Sequence, residues 1–285
     1  MVVFTDMGLE DIQILYGKGF VELKQKTIYE LARLKKGSKK GETVLAILYT
    51  SGKLLLQGNE KLINQTANYF RGKAQNKSKE VKPQKFNKQI GRVIGSDESL
   101  KGDSFGGITI AAVKADDKIR LQLKEIGVAD SKTLDDKEIL QMAIKIRKVA
   151  PCTVINVYPH EYNDKVNPSE NKHNNVTALL NNLHHQSAKD LSPGYHIVDK
   201  YPGCIVGDLQ ETKAESKYVE VAAASILARA AAVDQLNHLS KLAGFQIPKG
   251  STHVAWAFKE LKERNLNPKE FVKLHFKNVQ KALDL

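Results

Sequence analysis

Two adjacent acidic residues, Asp97 and Glu98, are the first candidates for chemistry in this sequence. They follow the apolar residues 93–94 and precede a Gly-containing turn, after which residues 107–113 have the composition of another strand. We therefore expect the acids at the point where a strand ends. Carboxylates in such a place lose solvation, and a bound cation compensates that loss best. On the dipeptide alone, an acidic turn exposed to solvent is the commoner structure, because two residues make a weak motif.

Two further acids, Asp199 and Glu215, occupy comparable positions. Asp199 follows the apolar residues 197–198, so a second strand would present an acid at its end. Glu215 is predicted at the start of a long helix, residues 215–242, in which apolar side chains recur every three or four positions. The acids converge if the two strands are neighbours in one sheet.

Four carboxylates in one cleft predict a particular chemistry. They repel one another unless cations lie between them, and ligands that are all oxygen suit Mg²⁺ or Mn²⁺. Two such ions ~4 Å apart can hold an attacking water and a leaving oxygen about a phosphodiester. The pattern thus predicts hydrolysis of a phosphate backbone. Motifs of other catalytic classes are absent: there is no Gly-x-x-x-x-Gly-Lys-Ser/Thr loop, no Gly-x-Ser-x-Gly elbow and no His-Glu-x-x-His.

The histidines and cysteines show no comparable pattern. His184 and His185 are adjacent on a predicted helix and diverge by about 100°, so an ordinary structural or surface role is predicted for both. Cys152 and Cys204 are the only cysteines, which argues against a zinc site or a disulfide framework. Neither cysteine is assigned a role.

The order of the predicted elements divides the chain into three parts. Residues 1–70 predict a small α+β domain, with a strand favoured for residues 27–36, a hairpin around Ser51-Gly52 and a helix capped by Asn59. Residues 71–90 hold seven Lys or Arg against one acid and predict a basic linker. Residues 91–285 alternate strands and helices, which predicts an α/β domain with a central sheet.

The charge of the chain points to a polyanionic partner. Lys and Arg number 44 against 32 Asp and Glu, a net charge of +12. Basic side chains that neutralise phosphates gain affinity from counterion release, so nucleic acid is the leading candidate and a basic surface that aids solubility is the alternative. No apolar run of about 18 residues exists to cross a bilayer, and the N-terminus does not resemble a signal peptide. We expect no membrane partner, a cytoplasmic location, a monomer and no obligate protein partner.

A series of motifs in the order of the chain resembles the type 2 ribonucleases H, with ribonuclease HIII as the nearest branch. They are Ile94-Gly-Ser-Asp-Glu98, Asp130-Ser-Lys132, Val198-Asp199, Thr212-Lys-Ala-Glu-Ser-Lys-Tyr218, Ala222-Ala-Ala-Ser-Ile-Leu-Ala-Arg229 and Lys273-Leu-His-Phe-Lys-Asn278. Glu215 favours the HIII branch, because HII is expected to have Asp there. Tyr49 with residues 51–58 is similar to the N-terminal domain of that branch. The resemblance covers nearly the whole chain.

The resemblance implies a fold and an activity. The fold is a ribonuclease H-like mixed sheet flanked by helices, with an N-terminal domain similar to the TATA-box-binding protein. The activity is endonucleolytic hydrolysis of the RNA strand of RNA/DNA hybrids, leaving 5′-phosphate and 3′-hydroxyl ends. Two Mg²⁺ or Mn²⁺ ions are implied as cofactors, and the implied catalytic and metal-binding set is Asp97, Glu98, Asp199 and Glu215.

Residues that could contact the hybrid form two groups. An enzyme that acts on hybrids identifies ribose by its 2′-hydroxyl and the duplex by its shape. In the predicted catalytic domain we expect contacts from Gly95, Ser96, Ser99, Lys101, Gly102, Lys132 and Lys213. In the N-terminal domain we expect contacts from Tyr49, Lys53 and Gln57, and a folding or docking module is the alternative for this domain.

Leu100 departs from the family pattern, which has a glycine at this position. If that glycine takes a positive φ or lets a phosphate approach closely, a leucine strains the backbone or obstructs the substrate. Two alternatives to the hybrid nuclease stay open, and Leu100 raises the first of them. One is a hybrid-binding protein with impaired catalysis on the same scaffold, and the other is a related nuclease that cuts DNA.

Overall fold

The chain divides into two units, Met1–Lys82 and Pro83–Leu285. A computed structural model describes residues 2–5, 7–27, 29–37, 42–76, 85–129, 131, 134–167 and 175–284. Among these residues no helix combines the length and apolar character that a bilayer crossing requires.

The first unit is an antiparallel five-stranded sheet in the order β1-β5-β4-β3-β2 with two helices on one face. Its elements are β1 (Val2–Phe4), α1 (Leu9–Tyr16), β2 (Val21–Glu22), β3 (Glu30–Lys36), β4 (Val44–Tyr49), β5 (Leu54–Gly58) and α2 (Glu60–Asn76). Alternate side chains of the strands, including Leu48 and Leu56, pack against Leu15 and Phe70 of the helices. The strand expected in residues 27–36 and the hairpin are confirmed, and Leu62 N donates to Asn59 Oδ1 at 3.3 Å, as the predicted cap requires.

The second unit is a mixed five-stranded sheet in the order β10-β9-β6-β7-β8, flanked by helices. Its elements are β6 (Val93–Ser99), β7 (Ile108–Ala115), α3 (Asp117–Glu125), α4 (Asp136–Val149), β8 (Cys152–Val157), α5 (Pro159–Lys165), α6 (Val176–Lys189), β9 (Tyr195–Asp199), β10 (Leu209–Glu211), α7 (Val219–Ala243), α8 (Ala255–Glu263) and α9 (Lys277–Leu283), with 3₁₀ turns at Ala214–Ser216 and Pro268–Glu270. Strand β6 pairs antiparallel with β7 and parallel with β9. The predicted α/β class and mixed sheet are confirmed.

The two faces of the sheet bury different helices. Ala111 and Val113 pack in one cluster with α7, whereas Ile94 and Ala112 pack in another with Ala188 at the end of α6. Gly95 lets α7 approach closely, because a Cβ there would lie 2.3 Å from the backbone nitrogen of Val221. Alternate residues of β6 therefore face α7 and α6 in turn.

Both ends of the predicted basic linker, residues 71–90, differ from the prediction. Helix α2 continues to Asn76, since each residue added to a helix gains a backbone hydrogen bond. At the other end Phe86 packs against the core of the second unit, and Asn87 N donates to the carbonyl of Lys217 at 2.7 Å. Phe86 is an apolar group in a polar segment, and its burial draws this end onto the second unit.

Candidate active site

Asp97 and Asp199 lie side by side on neighbouring strands. Residues 93–96 of β6 pair in parallel register with residues 195–198 of β9, so the next residues along the two strands are Asp97 and Asp199. Asp97 and Asp199 are each two residues beyond the pair Gly95 and Ile197, so both side chains leave the same face of the sheet, the one that packs on α7. The sequence predicted that two strands would bring these acids together, and the register does so.

Asp97 is a strongly perturbed carboxyl group with an exposed fraction of 6%. Burial raises its pKa well above the usual value, and the nearby charges of Glu98 and Asp199 raise it further. The hydroxyl of Ser225, on α7, donates to this carboxylate and acts in the opposite direction. Ser225 lies 2.9 Å from the hydroxyl of Ser131, so the acid is held by a short chain of polar groups.

Glu98 faces the opposite side of the sheet from Asp97. Strand β6 runs one residue past the acids that were predicted at its end, because it keeps a regular register with β7 as far as Ser99. Successive side chains of a strand alternate between faces, which directs Glu98 toward α6. There its Oε1 atom forms an ion pair with Lys101 Nζ, and its Oε2 atom lies 3.4 Å from His184 Nε2. Burial alone raises the pKa of Glu98, but His184 and Lys101 outweigh it and the net shift is downward.

Glu215 lies in the 3₁₀ turn Ala214–Ser216 rather than in a helix. The predicted helix start at residue 215 is wrong, because α7 begins at Val219. The Glu215 side chain is buried, with an exposed fraction of 2%. Ala214 N donates to Asp199 Oδ1 at 2.9 Å, which ties the turn that carries Glu215 to the end of β9.

The chemistry of these donors fits a hard divalent cation, although they do not converge as a finished metal site. The donor set is all carboxylate oxygen. Burial, and then the charges of Glu98 and Asp199, raise the pKa of Asp97, and a bound cation would offset both effects. Within the described part of the chain, no three Asp, Glu, His or Cys side chains are arranged to hold a metal ion. Strand alternation accounts for part of this, since Asp97 and Glu98 leave β6 on opposite faces.

The predicted substrate contacts of the second unit separate into two groups. Gly95 and Ser96 are buried in the middle of β6 with strands on both sides, a position that gives no support to the predicted contact of their backbone with ribose. The end of β6 and the turn after it are accessible, because Ser99 and Lys101 are half-buried and Gly102 is exposed.

Of the two remaining lysines predicted as phosphate contacts, only Lys213 lies in the described part of the chain. Lys213 is exposed immediately before the 3₁₀ turn that carries Glu215 and has a φ of 57°. Its position two residues from a candidate ligand is compatible with a phosphate contact. Lys132 lies outside the described residues.

Leu100 has the left-handed conformation that the family glycine suggested, with a φ of 66°. A non-glycine residue in this region costs about 1–2 kcal/mol. Its side chain has an exposed fraction of 6% and packs with Phe105 and Leu236, and burial of a leucine contributes about 1.5–3 kcal/mol. Leu100 therefore strains the backbone, which was the first of the two expectations. Its side chain points into the core rather than over the turn, so it does not obstruct the accessible surface.

Lys273 is a residue whose role was missed from the sequence. Its ammonium donates to three carbonyl oxygens of the segment after β6, those of Leu100 at 2.8 Å, Asp103 at 2.6 Å and Gly106 at 3.0 Å. The residue has an exposed fraction of 0%. Burial lowers the pKa of Lys273 to about 7, and the Asp103 carboxylate opposes that shift. No local pattern indicates contacts across so much of the chain.

The three predicted contacts of the first unit share the outer face of its sheet. Tyr49 N donates to the carbonyl of Lys53 at 2.9 Å, and Gln57 pairs with Leu45 further along the hairpin. The core takes the alternate residues Leu48 and Leu56, so these three side chains leave the sheet on the side away from the helices. Tyr49 is half-buried, and Lys53 and Gln57 are exposed.

Comparison with known proteins identifies the family. The family model described as ribonuclease HII matches residues 94–279. Ribonuclease HIII of Streptococcus agalactiae serotype III is 35% identical over 265 residues, which cover 85% of each chain. Among solved structures, a mutant protein of Bst-RNase HIII is similar with a TM-score of 0.61 and 27% identity, and Bst-RNase HIII in complex with Mn²⁺ with a TM-score of 0.58 and 25% identity; each similarity covers 99% of this chain and 97% of that one. The chain therefore belongs to the ribonuclease HII family, in its ribonuclease HIII branch.

Proposed function

We propose that this chain hydrolyses the RNA strand of RNA/DNA hybrids at a site built around Asp97 and Asp199, leaving 5′-phosphate and 3′-hydroxyl ends. Membership of the family makes the chain a ribonuclease H, a hydrolase that cleaves endonucleolytically. The observation that carries the proposal is the parallel register of β6 and β9, which sets the two carboxylates beside each other. Burial raises the pKa of Asp97 and the charges of Glu98 and Asp199 raise it further, which supports a site that works with cations.

The proposed cofactors are two divalent ions, Mg²⁺ or Mn²⁺, held by Asp97, Glu98, Asp199 and Glu215. The Mn²⁺ complex of the Bst relative supports this choice. When bound, such ions favour ionisation of an attacking water and neutralise charge on the phosphate. The chain itself orients the carboxylates, because Ser225 donates to Asp97 and the amide of Ala214 donates to Asp199.

The proposed hybrid contacts near the site are Ser99, Lys101, Gly102 and Lys213, with Lys132 kept as a prediction from the sequence. Ser99 is the last residue of β6, and Lys101 and Gly102 lie in the turn that follows it, close to Glu98. The backbone and hydroxyl groups of this turn suit recognition of a 2′-hydroxyl, and the lysines suit phosphates. We further propose that the enzyme acts as a cytoplasmic monomer without an obligate protein partner.

A cleavage assay with matched duplexes tests the activity. An end-labelled RNA/DNA hybrid and an all-DNA duplex of the same sequence are incubated with the protein and Mg²⁺ or Mn²⁺, with EDTA as the control. We expect cleavage of the RNA strand alone, dependent on the metal. Hybrid binding without cleavage would establish the catalytically impaired protein instead, and cleavage of the all-DNA duplex would establish the DNA nuclease.

The outer face of the first unit is proposed to bind the hybrid through Tyr49, Lys53 and Gln57. Lys53 is exposed on this face and can contact one phosphate. Lys53→Gln is expected to weaken hybrid binding and to reduce the slope of log affinity against log salt by about 0.9. Fluorescence anisotropy at several salt concentrations measures both quantities.

Lys61→Gln is the matched control for this change. Lys61 is exposed on α2, which packs on the other face of the same sheet. Equal effects of the two substitutions, or no effect of Lys53→Gln, would favour the alternative in which this unit is a folding or docking module.

A further inference from the structure

A buried group of three polar side chains lies behind Glu98, on the α6 face of the sheet. Ser96 Oγ is 2.8 Å from His184 Nδ1 and 2.8 Å from His196 Nε2. His184 and Ser96 each have an exposed fraction of 0%. The remaining ring nitrogen of His184, Nε2, faces Glu98 Oε2 at 3.4 Å. A continuous row of polar atoms therefore runs from His196 to Glu98.

The hydrogen-bonding capacities of these groups decide which atom donates and which accepts in each contact of the row. A carboxylate oxygen only accepts, so His184 must present Nε2–H to Glu98. Its Nδ1 atom then meets the Ser96 hydroxyl, which has one proton to donate and lone pairs to accept with, and so can satisfy both imidazole rings. Ring orientation and tautomer of a ligand-supporting histidine are set in this way by the contact at its other nitrogen.

The contact between His184 and Glu98 is long for a hydrogen bond, but no other group in the described part of the chain bonds to either atom. Both Glu98 Oε2 and His184 Nε2 are buried, and in the described part of the chain neither atom has another hydrogen-bond partner. A buried carboxylate and a buried ring nitrogen without other partners are costly to leave unpaired, so each is the natural partner of the other. The 3.4 Å separation closes to a normal hydrogen bond with a small rotation of either side chain.

The two oxygens of Glu98 are held by groups of very different mobility. Lys101, at Oε1, has a side chain that is 39% exposed and lies on the turn after β6. His184, at Oε2, is enclosed and stacks on the Tyr201 ring with centroids 5.3 Å apart. A cation that approaches from the exposed side can displace the ammonium, because like charges repel, whereas the imidazole stays in place.

We propose that His184, held by Ser96 and His196, is a positioning residue that orients Glu98 to receive a divalent cation. The inference rests on the proposed function, in which Glu98 is a metal ligand. It goes beyond that function by assigning a role to a histidine for which the sequence predicted only structural or surface duty. Groups that support metal ligands in this manner typically change metal affinity by about 10- to 100-fold when removed.

Two substitutions at His184 separate its two contacts. The amide of His184→Asn occupies the place of Nδ1 and keeps the contact to Ser96, but nothing then reaches Glu98. The longer amide of His184→Gln reaches the place of Nε2 and supplies a donor to Glu98. In calorimetric titrations with Mn²⁺ and no substrate, we expect His184→Asn to raise the dissociation constant by about 10-fold or more and His184→Gln to restore it to within about threefold of wild type. In hybrid cleavage, kcat should fall for His184→Asn while KM stays unchanged.

Three further variants make the result decisive. His185→Asn is the matched control, because His185 is the next residue on α6 and is exposed. Ser96→Ala removes the hydroxyl that holds the ring and leaves a smaller side chain in the strand. It should weaken Mn²⁺ binding severalfold, and it provides the test if the His184 variants do not fold. Glu98→Gln tests the underlying function: wild-type Mn²⁺ affinity in this variant would overturn the proposed metal site itself.

The positioning role alone is overturned by two outcomes. One is a folded His184→Asn variant, by circular dichroism, that binds Mn²⁺ as wild type does while Glu98→Gln binds it weakly. The other is a His184→Gln variant that is as impaired as His184→Asn, because the rescue depends on the restored donor.

Discussion

Asp97→Asn is expected to slow hydrolysis of the RNA strand by at least about 10³-fold, a loss of roughly 4 kcal/mol of transition-state stabilisation. The amide keeps the size of the carboxylate but not its charge, and a hard divalent cation binds a neutral amide oxygen poorly. Hybrid affinity should stay within a few fold of wild type, because Asp97 is buried beside α7 rather than exposed to the duplex. Single-turnover cleavage and anisotropy in Ca²⁺ measure the two quantities separately.

The same substitution should make the metal-free protein more stable. The folded-state pKa of Asp97 lies above its usual value, and an unfolded Asp has a pKa of about 3.9. The folded state therefore holds this proton more tightly, so stability is lost as pH rises from about 4 through the folded-state pKa. Asp97→Asn abolishes that loss. In EDTA its Tm should exceed that of wild type at pH 7.5, and the difference should vanish near pH 4.

Asp234→Asn is the matched control for both measurements, because Asp234 is an exposed acid on α7. It should leave the rate and the Tm unchanged. Retention of the hydrolysis rate within tenfold by Asp97→Asn would remove Asp97 from the proposed catalytic set. An unchanged Tm in EDTA would argue against a pKa of Asp97 that is raised by burial and by neighbouring charges.

Lys273→Met is expected to lower the free energy of unfolding of the larger unit by about 3–5 kcal/mol. The substitution leaves the carbonyls of Leu100, Asp103 and Gly106 without the donor that the three hydrogen bonds require. A Tm decrease of about 2–4 °C for each kcal/mol follows for a unit of this size. Because the same carbonyls belong to the turn after β6, hydrolysis should fall even at temperatures where the unit stays folded.

Lys277→Met controls for the loss of a positive charge, since Lys277 is exposed at the start of α9. Thermal denaturation and cleavage at 25 °C compare the two variants. An unchanged Tm for Lys273→Met would show that the three carbonyls find other donors and that Lys273 is not the anchor of this turn.

Local pattern predicts those elements whose side chains repeat with a clear period. The long α7, the β4–β5 hairpin and the strand character of β3 all follow from apolar spacing and turn residues. Short elements without such a period, such as α5 with seven residues and β10 with three, were not predicted. The apolar repeat that begins near Glu215 predicts a helix there, but a 3₁₀ turn precedes α7.

The candidate site divides in the same way between local pattern and long-range contact. The identity of the four acids and the pairing of Asp97 with Asp199 follow from motifs and strand order. The extent of β6 past Glu98 does not, because Ser99 continues the ladder without an apolar side chain. His184 and Ser96 are 88 residues apart and Lys273 lies 173 residues from Leu100, so no window of sequence contains either contact.

The most direct test of the four-carboxylate metal site is anomalous diffraction at the manganese edge from crystals of this protein grown with Mn²⁺ and a non-cleavable hybrid. We predict two manganese peaks, each within about 2.3 Å of carboxylate oxygens drawn from Asp97, Glu98, Asp199 and Glu215. Asp97 and the Oε1 atom of Glu98 must then reach a common point at the end of β6, with Glu98 Oε2 still at His184. Manganese peaks remote from Asp97 and Asp199, or no peaks at a hybrid that is bound, would contradict it.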